Sequence, residues 1–309
     1  MKKVFIDGQA GTTGLRITER LSGRDDIEII TLPDELRKSA EARRKVLNEV
    51  DIVFLCLPDD AAREAVAMIE NENVVVIDAS TAHRTNPEWA YGFPELDKSF
   101  EEKIKSSKRI AVPGCHAGGF IALVYPLVKA GIISPDIMLS AHSVTGYSGG
   151  GKKMIAEYQA DCHDSLLAGP RQYGIGQKHK HLPEMVKISG LTHEPVFCPI
   201  VSDFYSGMEV TIPMFKDNLL YGDVNTVKEI YKKHYNSNIV FYNEGYDESG
   251  FLSSVKLSGK DSMSIEVYGN DDRFILVARY DNLGKGASGA AVECLNIKLG
   301  CNKEKTLEI

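Results

Sequence analysis

The sequence predicts an α/β protein with a doubly wound parallel sheet, joined to a second α+β domain carrying a mostly antiparallel sheet. Three observations predict it. From Lys3 to Val112, short apolar runs alternate with helical segments, the pattern of parallel strands linked by crossover helices. The first apolar run ends in a glycine-spaced turn. In the second half the runs lengthen and alternate, at Val196–Val201, Met208–Phe215 and Ser262–Tyr280 broken at Gly269. Alternation suits an antiparallel sheet with helices on one face.

The chain has 309 residues, long enough for two domains with their own cores. Apolar residues make up 43% and charged residues 26%, the ordinary globular range. A net charge of −7 argues against a sequence-blind grip on nucleic acid. Asp7 and Gly8 end the first apolar run too soon for a signal peptide, and no apolar stretch is long enough to span a bilayer. The six cysteines, at 56, 115, 162, 198, 294 and 301, show no close pairing and no Cys-x-x-Cys spacing. Free thiols in a reducing cytoplasm are expected.

Lys3–Asp7 reads as the first strand, and a helix runs from Leu15 to Leu21. The loop between them, Gly8-Gln9-Ala10-Gly11-Thr12-Thr13-Gly14, has the makings of a Rossmann-type phosphate cradle. Glycines let the backbone approach a pyrophosphate, and helix N–H groups point at it. The spacing is Gly-x-x-Gly-x-x-Gly, and the other reading is a plain tight turn. Ile27–Thr31 is the second strand. An acidic residue about 20 positions past the glycines marks NAD binders. Here Asp34 is followed by Arg37 and Lys38, then Arg43 and Lys45. That basic cluster suits the 2′-phosphate of NADP, although Asp34 keeps NAD open and a solvated helix face is the bland alternative.

Asp51–Leu57 is an apolar third strand whose Cys56 reads as buried and inert. Pro58-Asp59-Asp60 opens a helix to Glu70, and Asn73–Ile77 is the fourth strand. Ligands bind at the carboxyl ends of such strands, which brings in Pro58, Ser80 and Arg84. Arg84 can hold an anion by its planar fork or serve a structural ion pair. His83 reads as a surface or packing residue, and Glu95–Lys108 as an exposed helix.

The strand Arg109–Val112 runs into Pro113-Gly114-Cys115-His116, ahead of an apolar helix from Phe120 to Lys129 kinked at Pro126. Cys115 thus falls where a strand stops and a helix begins. Unpaired N–H groups and the helix dipole favour a thiolate there, and the thiolate is the nucleophile. The alternative is a small buried residue in a turn. Farther on, Ile137–Val144 is strand-like. Tyr147-Ser148-Gly149-Gly150-Gly151-Lys152 forms a loop able to cradle an anion. His179 and His181, beside Lys178 and Lys180, can act as acid or base near neutral pH. No standard zinc spacing occurs, so no metal is expected. The last residues, Asn302–Ile309, read as a frayed tail.

Together these motifs resemble the N-acetyl-γ-glutamyl-phosphate reductases of arginine biosynthesis, in their shorter form. The resemblance runs end to end. It is carried by Gly8/Gly11/Gly14, Asp78-x-Ser80 with Arg84, Tyr91-Gly92-Phe93-Pro94-Glu95-Leu96, Pro113-Gly114-Cys115 with Pro126-Leu127, and Ser143-x-x-Gly146 with Ser148–Lys152. His179-Lys180-His181-x-Pro183-Glu184 and Asp281-Asn282-Leu283-x-Lys285-Gly286-Ala287-x-Gly289 complete it. The chain departs after the cysteine, where the longer form carries an aromatic residue, Ala and Thr. Here His116, Ala117 and Gly118 stand instead.

The resemblance implies NADPH-dependent reduction of an acyl phosphate to a semialdehyde through a Cys115 thioester, with His179 or His181 as acid/base. It implies that Gly8, Gly11, Thr12, Thr13, Gly14, Arg37, Lys38, Pro58, Ser80 and Asn282 meet the cofactor. Arg84, Ser148, Gly149, Gly150 and Lys152 would meet the substrate. Expected domains are 1–116 with 286–309 for the dinucleotide, and 117–285 for catalysis and oligomerisation. The expected assembly is a cytoplasmic homo-oligomer, dimer or tetramer, with no nucleic-acid or membrane partner. Two rivals stand beside this reading. One is a relative acting on aspartyl phosphate or a carrier-linked aminoadipyl phosphate. The other is a dinucleotide-binding sensor without chemistry.

Overall fold

The computed structural model describes residues 1–162, 164–245 and 248–309. The chain forms two compact units, Met1–Pro113 with Ala287–Leu307, and Gly114–Gly286 with Glu308–Ile309. The division falls just before Gly114, so Cys115 lies in the second unit, whereas the sequence expectation ended the first at 116.

The first unit contains β1 (Lys2–Asp7), α1 (Thr12–Leu21), β2 (Ile27–Ile30), α2 (Ala40–Glu49), β3 (Ile52–Leu55), α3 (Asp59–Ala67), β4 (Val75–Asp78), β5 (Ala90–Tyr91), α4 (Lys98–Ser106) and β6 (Arg109–Ala111). The strand order is β2-β1-β3-β4-β6-β5, and every pairing is parallel. All four residues of β3 are buried, as a sheet covered on both faces requires. Alternation along β1 sends Val4 and Ile6 to one core and Phe5 to the other. The first core is closed by the C-terminal helix Gly289–Leu299, whose small residues Ala290 and Ala291 lie within it. The chain passes from β1 to β2 on one side and places β3 on the other. The crevice at their carboxyl ends is therefore a switch point, where ligands bind.

Helix starts differ from the sequence expectation. α1 begins at Thr12, not Leu15, because the extended backbone of Gly11 caps it directly. α4 covers only Lys98–Ser106, with the Asp97 carboxylate accepting from the Ser99 N–H at 2.8 Å. The tail is not frayed. Asn296 Nδ2 donates to the carbonyls of Lys303 and Lys305 at 2.9 and 2.8 Å, and Leu307 packs on the core.

The second unit contains α5 (Cys115–Lys129), β7 (Ser140–Gly146), α6 (Gly151–Tyr158), β8 (Arg171–Gln172), α7 (Leu182–Ser189), β9 (Val196–Ser202), β10 (Met208–Phe215), α8 (Val224–His234), β11 (Val240–Tyr242), β12 (Met263–Gly269) and β13 (Arg273–Tyr280). The strand order is β11-β12-β13-β10-β7-β9-β8. Pairing is antiparallel except at β7/β9 and β11/β12. α5 lies against this sheet, and Gly119 permits the approach. A Cβ there would sit 2.8 Å from Val210 Cγ2. Pro126 has no N–H to give the Ala122 carbonyl one turn back. The Tyr235 hydroxyl donates to that carbonyl instead, at 2.8 Å. The helix therefore passes through the proline without an orphaned acceptor.

Candidate active site

In the first unit the glycine loop turns tightly at the end of β1. Gly8 has a φ of +87°, and a Cβ on it would lie 2.3 Å from the Cys56 carbonyl oxygen. A Cβ on Gly14 would lie 2.6 Å from the Gly8 carbonyl oxygen. Both positions therefore require glycine, while Thr12 and Thr13 present the first N–H groups of α1. Beside the loop is a cavity of about 420 Å³, lined by Asp7, Gly8, Gln9, Ala10, Arg37, Lys38 and Arg43, among others. Arg43 is held in its wall by Asp7 at 2.8 Å, and Arg37 pairs with Asp34 at 2.7 Å. Burial pushes the Asp7 carboxyl up against the opposing pull of Arg43. A backbone cradle and a basic-walled cavity together fit a dinucleotide. Pro58 caps α3 at the neighbouring strand end.

In the second unit Cys115 is the first residue of α5, half-buried, with Gly114 as its extended cap. The helix starts five residues earlier than the apolar run suggests, which puts the thiol in the first turn itself. Two contacts fix this turn. The Gly114 N–H donates to Glu184 Oε1 at 2.8 Å, and the Tyr280 hydroxyl donates to the Cys115 carbonyl. A third element closes in: a Cβ on Gly286 would lie 3.2 Å from the Cys115 Cβ.

His116 follows in the same turn, 3% exposed. Its ring lies 5.7 Å from those of both His179 and His181, and these two lie 4.8 Å apart. Phe197 covers His116 at 5.4 Å. The predicted pair is thus packed against the residue after the cysteine. The His181 N–H donates to His179 Nδ1 at 3.3 Å, and burial, with Lys180 nearby, lowers the His179 pKa. His179 is therefore neutral at physiological pH, as a base must be. Among the described residues no group of three or more His, Cys, Asp or Glu side chains is arranged for a metal ion. No helix among them is long and apolar enough to cross a membrane.

Several expected site residues have structural duties. Arg84 Nε donates to the Val112 carbonyl at 2.8 Å and Nη2 to the Ala79 carbonyl at 2.9 Å, bracing the strand end before Pro113. Ser80 donates to the buried Asp78 at 2.7 Å and accepts from the Ala82 N–H. His83 stacks on Trp89 with centroids 4.0 Å apart and bonds Asp78, so it is a packing histidine. Asn282 lies in the second unit, where its amide bonds the Ser148 hydroxyl and the Gly207 N–H, each at 3.0 Å. Its side chain thereby orders the Ser148 loop. Ser148 is fully buried, while Gly149, Gly150 and Lys152 are exposed at the start of α6.

Glu184, Tyr173, Tyr280 and Gly286 complete the cluster, and none was among the expected site residues. Glu184 has a testable weight. It is 2% exposed. Glu184→Ala is expected to strand the Gly114 N–H at a cost of about 2 kcal/mol. Glu184→Gln, which keeps an acceptor oxygen, should lose less. Urea denaturation measures both, and equal losses would show that the hydrogen bond is not the source.

Comparison with known proteins agrees with this geometry. Residues 32–106 match the family model described as the NAD binding domain of semialdehyde dehydrogenase, and residues 115–282 match its dimerisation domain. An N-acetyl-gamma-glutamyl-phosphate reductase from Sinorhizobium medicae is 44% identical over 305 residues, covering 96% of this chain and 98% of that one. Its counterpart from Brucella ovis is 44% identical over 306 residues, covering 96% and 99%. Among solved structures, aspartate semialdehyde dehydrogenase II of Vibrio cholerae shares the fold with a TM-score of 0.73 at 16% identity, covering 97% of this chain and 98% of that one. The Candida albicans enzyme, solved with NADP, gives 0.68 at 17%, covering 96% and 98%. The chain belongs to the N-acetyl-gamma-glutamyl-phosphate reductase family, and is built from the two semialdehyde dehydrogenase domains.

Proposed function

We propose that this protein reduces N-acetyl-γ-glutamyl phosphate to N-acetylglutamate 5-semialdehyde and phosphate, with NADPH as reductant, in arginine biosynthesis. The observation that carries the reading is Cys115 in the first turn of α5, its turn pinned by Glu184 and Tyr280, with His179 and His181 packed on the next residue. The Cys115 thiolate attacks the acyl carbon, the C–O bond to phosphate breaks, and a thioester forms. A nicotinamide held by the glycine loop would supply hydride to the thioester carbon, and the histidine that took the Cys115 thiol proton gives it to the resulting oxyanion, forming the thiohemiacetal. One histidine of the pair then takes the hydroxyl proton as the C–S bond breaks and the aldehyde leaves. Backbone N–H groups at the start of α5 hold the oxyanion in each tetrahedral state.

Gly8, Gly11, Thr12, Thr13 and Gly14 would hold the pyrophosphate, with Pro58 beside them. Arg37 and Lys38 would read the 2′-phosphate. Both line the cavity next to the glycine loop, which supports NADP over NAD. The loop from Ser148 to Lys152 is the proposed substrate loop. A homo-oligomer, dimer or tetramer, is part of the proposal, supported by the dimerisation-domain match over 115–282. A cytoplasmic setting is too, since all six cysteines are free and Cys115 must stay reduced to act.

The test is NADPH oxidation followed at the nicotinamide absorbance. N-acetyl-γ-glutamyl phosphate should support turnover and aspartyl phosphate should not. Arg37→Glu with Lys38→Glu should weaken NADPH by at least about tenfold, the worth of one charged hydrogen bond. NADH should change little, since it lacks the 2′-phosphate. Equal losses for both cofactors would remove these residues as the reader.

A further inference from the structure

The imidazole of His116 decides where the proton of Tyr173 points. Ser143, in β7, is fully buried, and its hydroxyl has one partner among the described residues, His116 Nδ1 at 2.7 Å. A buried hydroxyl must place its hydrogen on an acceptor, so Ser143 donates and Nδ1 accepts. Burial, reinforced by His179 and Lys180, holds the His116 pKa down to about 3, and the ring is uncharged. A neutral imidazole carries one ring hydrogen, which therefore sits on Nε2. That nitrogen lies 2.5 Å from the Tyr173 hydroxyl oxygen, so the ring donates and the tyrosine oxygen accepts. The phenolic hydrogen is left over and cannot turn back to His116. It makes no other hydrogen bond among the described residues, to the Cys115 sulfur or elsewhere. Burial and the nearby charge of Cys115 both push the Tyr173 hydroxyl up, so it keeps that hydrogen at neutral pH. The phenol also packs on the ring of His179, 5.9 Å between centroids.

We propose that Tyr173 is a further catalytic residue, donating its hydroxyl hydrogen to the oxygen of the acyl group carried on Cys115, with Ser143 and His116 as the positioning residues that aim it. This rests on the reading of Cys115 as the nucleophile. Negative charge develops on that oxygen on the way into and out of the thioester, and a fixed donor aimed at it lowers both barriers. The chain Ser143–His116–Tyr173 also gives a physical reason for histidine at 116, where the longer form of the family has an aromatic residue. An aromatic ring could fill the space but could not pass the hydrogen-bond direction from a serine to a phenol.

The experiment compares Tyr173→Phe and Ser143→Ala with the unmodified enzyme in NADPH oxidation by N-acetyl-γ-glutamyl phosphate. Alkylation of Cys115 by iodoacetamide is measured alongside. Tyr173→Phe should lower kcat about 100-fold, the loss of one oxyanion donor, with KM changed by less than about threefold. The alkylation rate should not change, because that reaction has no oxyanion. Ser143→Ala frees His116 to take the other tautomer and draw in the phenolic hydrogen. It should lower kcat by about 3- to 10-fold, the worth of a neutral hydrogen bond, again without a matching change in KM. The inference is overturned if Tyr173→Phe keeps kcat within about threefold, or if its alkylation slows in step with turnover, which would assign the phenol to the sulfur. Absence of turnover in the unmodified enzyme, with Cys115 still reactive, would overturn the proposed function instead, and this inference with it.

Discussion

Cys115→Ser is expected to lower turnover on the order of 10⁴-fold or more, the usual cost of removing a nucleophile, while the fold and NADPH binding stay as they are. The replacement changes one atom. The contacts that shape the turn are to backbone atoms, the Gly114 N–H and the Cys115 carbonyl, and serine keeps both. The glycine cradle belongs to the other unit and contains no part of the changed residue. What is lost is ionisation: a hydroxyl is far harder to deprotonate than a thiol, whose ordinary pKa is about 8.5. The companion measurement is peptide mapping after limiting iodoacetamide. Cys294 is buried, and burial pushes the Cys56 thiol up, so neither should compete. Cys162 is exposed and is the real competitor. Access favours Cys162, but thiolate character at a helix start favours Cys115, and the latter should be labelled first. Labelling of Cys162 with Cys115 inert would end the nucleophile assignment.

What could be read from the sequence was local, and what could not was long-range. Gly8 and Gly14 were legible because the need for them lies in their immediate backbone: a turn at the end of a strand with no room for a Cβ. The parallel sheet was legible because its buried strands are short and apolar, with helices between them. Helix starts were misread at Thr12 and Cys115 because apolar periodicity marks where a helix is buried, whereas a glycine cap sets where it begins. The tail was misread because its order comes from Asn296 and from Leu307 packing, which no pattern within Asn302–Ile309 announces.

Around the candidate site the same division holds. The cysteine turn and the histidine pair stand out as residue types in a local context. Glu184 lies 70 residues from the N–H it accepts and Tyr173 lies 57 from His116, so nothing in one sequence links them. Glu184 did have a signal, since it ends the His179-x-His181 motif. A buried acid one turn into a helix that begins at a conspicuous histidine pair invites a search for its partner. Arg84 and Asn282 add long-range partners of the same kind: Arg84 Nε and Nη2 serve the Val112 and Ala79 carbonyls, and the Asn282 amide ties Gly207 to Ser148, none of which a motif announces.

Run in reverse, the enzyme is expected to oxidise N-acetylglutamate semialdehyde with NADP only when inorganic phosphate is present. After hydride transfer the acyl group remains on Cys115 as a thioester, and it leaves only when an acceptor attacks. In the forward direction phosphate is the leaving group, so by microscopic reversibility it is the acceptor in the other. Phosphate therefore needs an anion site beside the sulfur. Arg84 is one candidate, its guanidinium held in place by the Val112 and Ala79 carbonyls. The others are the 149–152 loop, where exposed glycines and Lys152 open α6, and the His179/His181 pair flanked by Lys178 and Lys180. With phosphate absent, a stopped-flow trace should show a burst of about one reduced cofactor per active site, then a rate limited by slow thioester hydrolysis. Adding phosphate should restore steady turnover, and arsenate, alike in shape and charge, should replace it. Lys152→Ala should raise the phosphate concentration needed without changing the burst, because the burst precedes phosphate entry. Full steady turnover with neither anion would mean that water is the natural acceptor. The chain would then be an aldehyde dehydrogenase making an acid, and its cysteine, histidines and glycine loop would serve a different product.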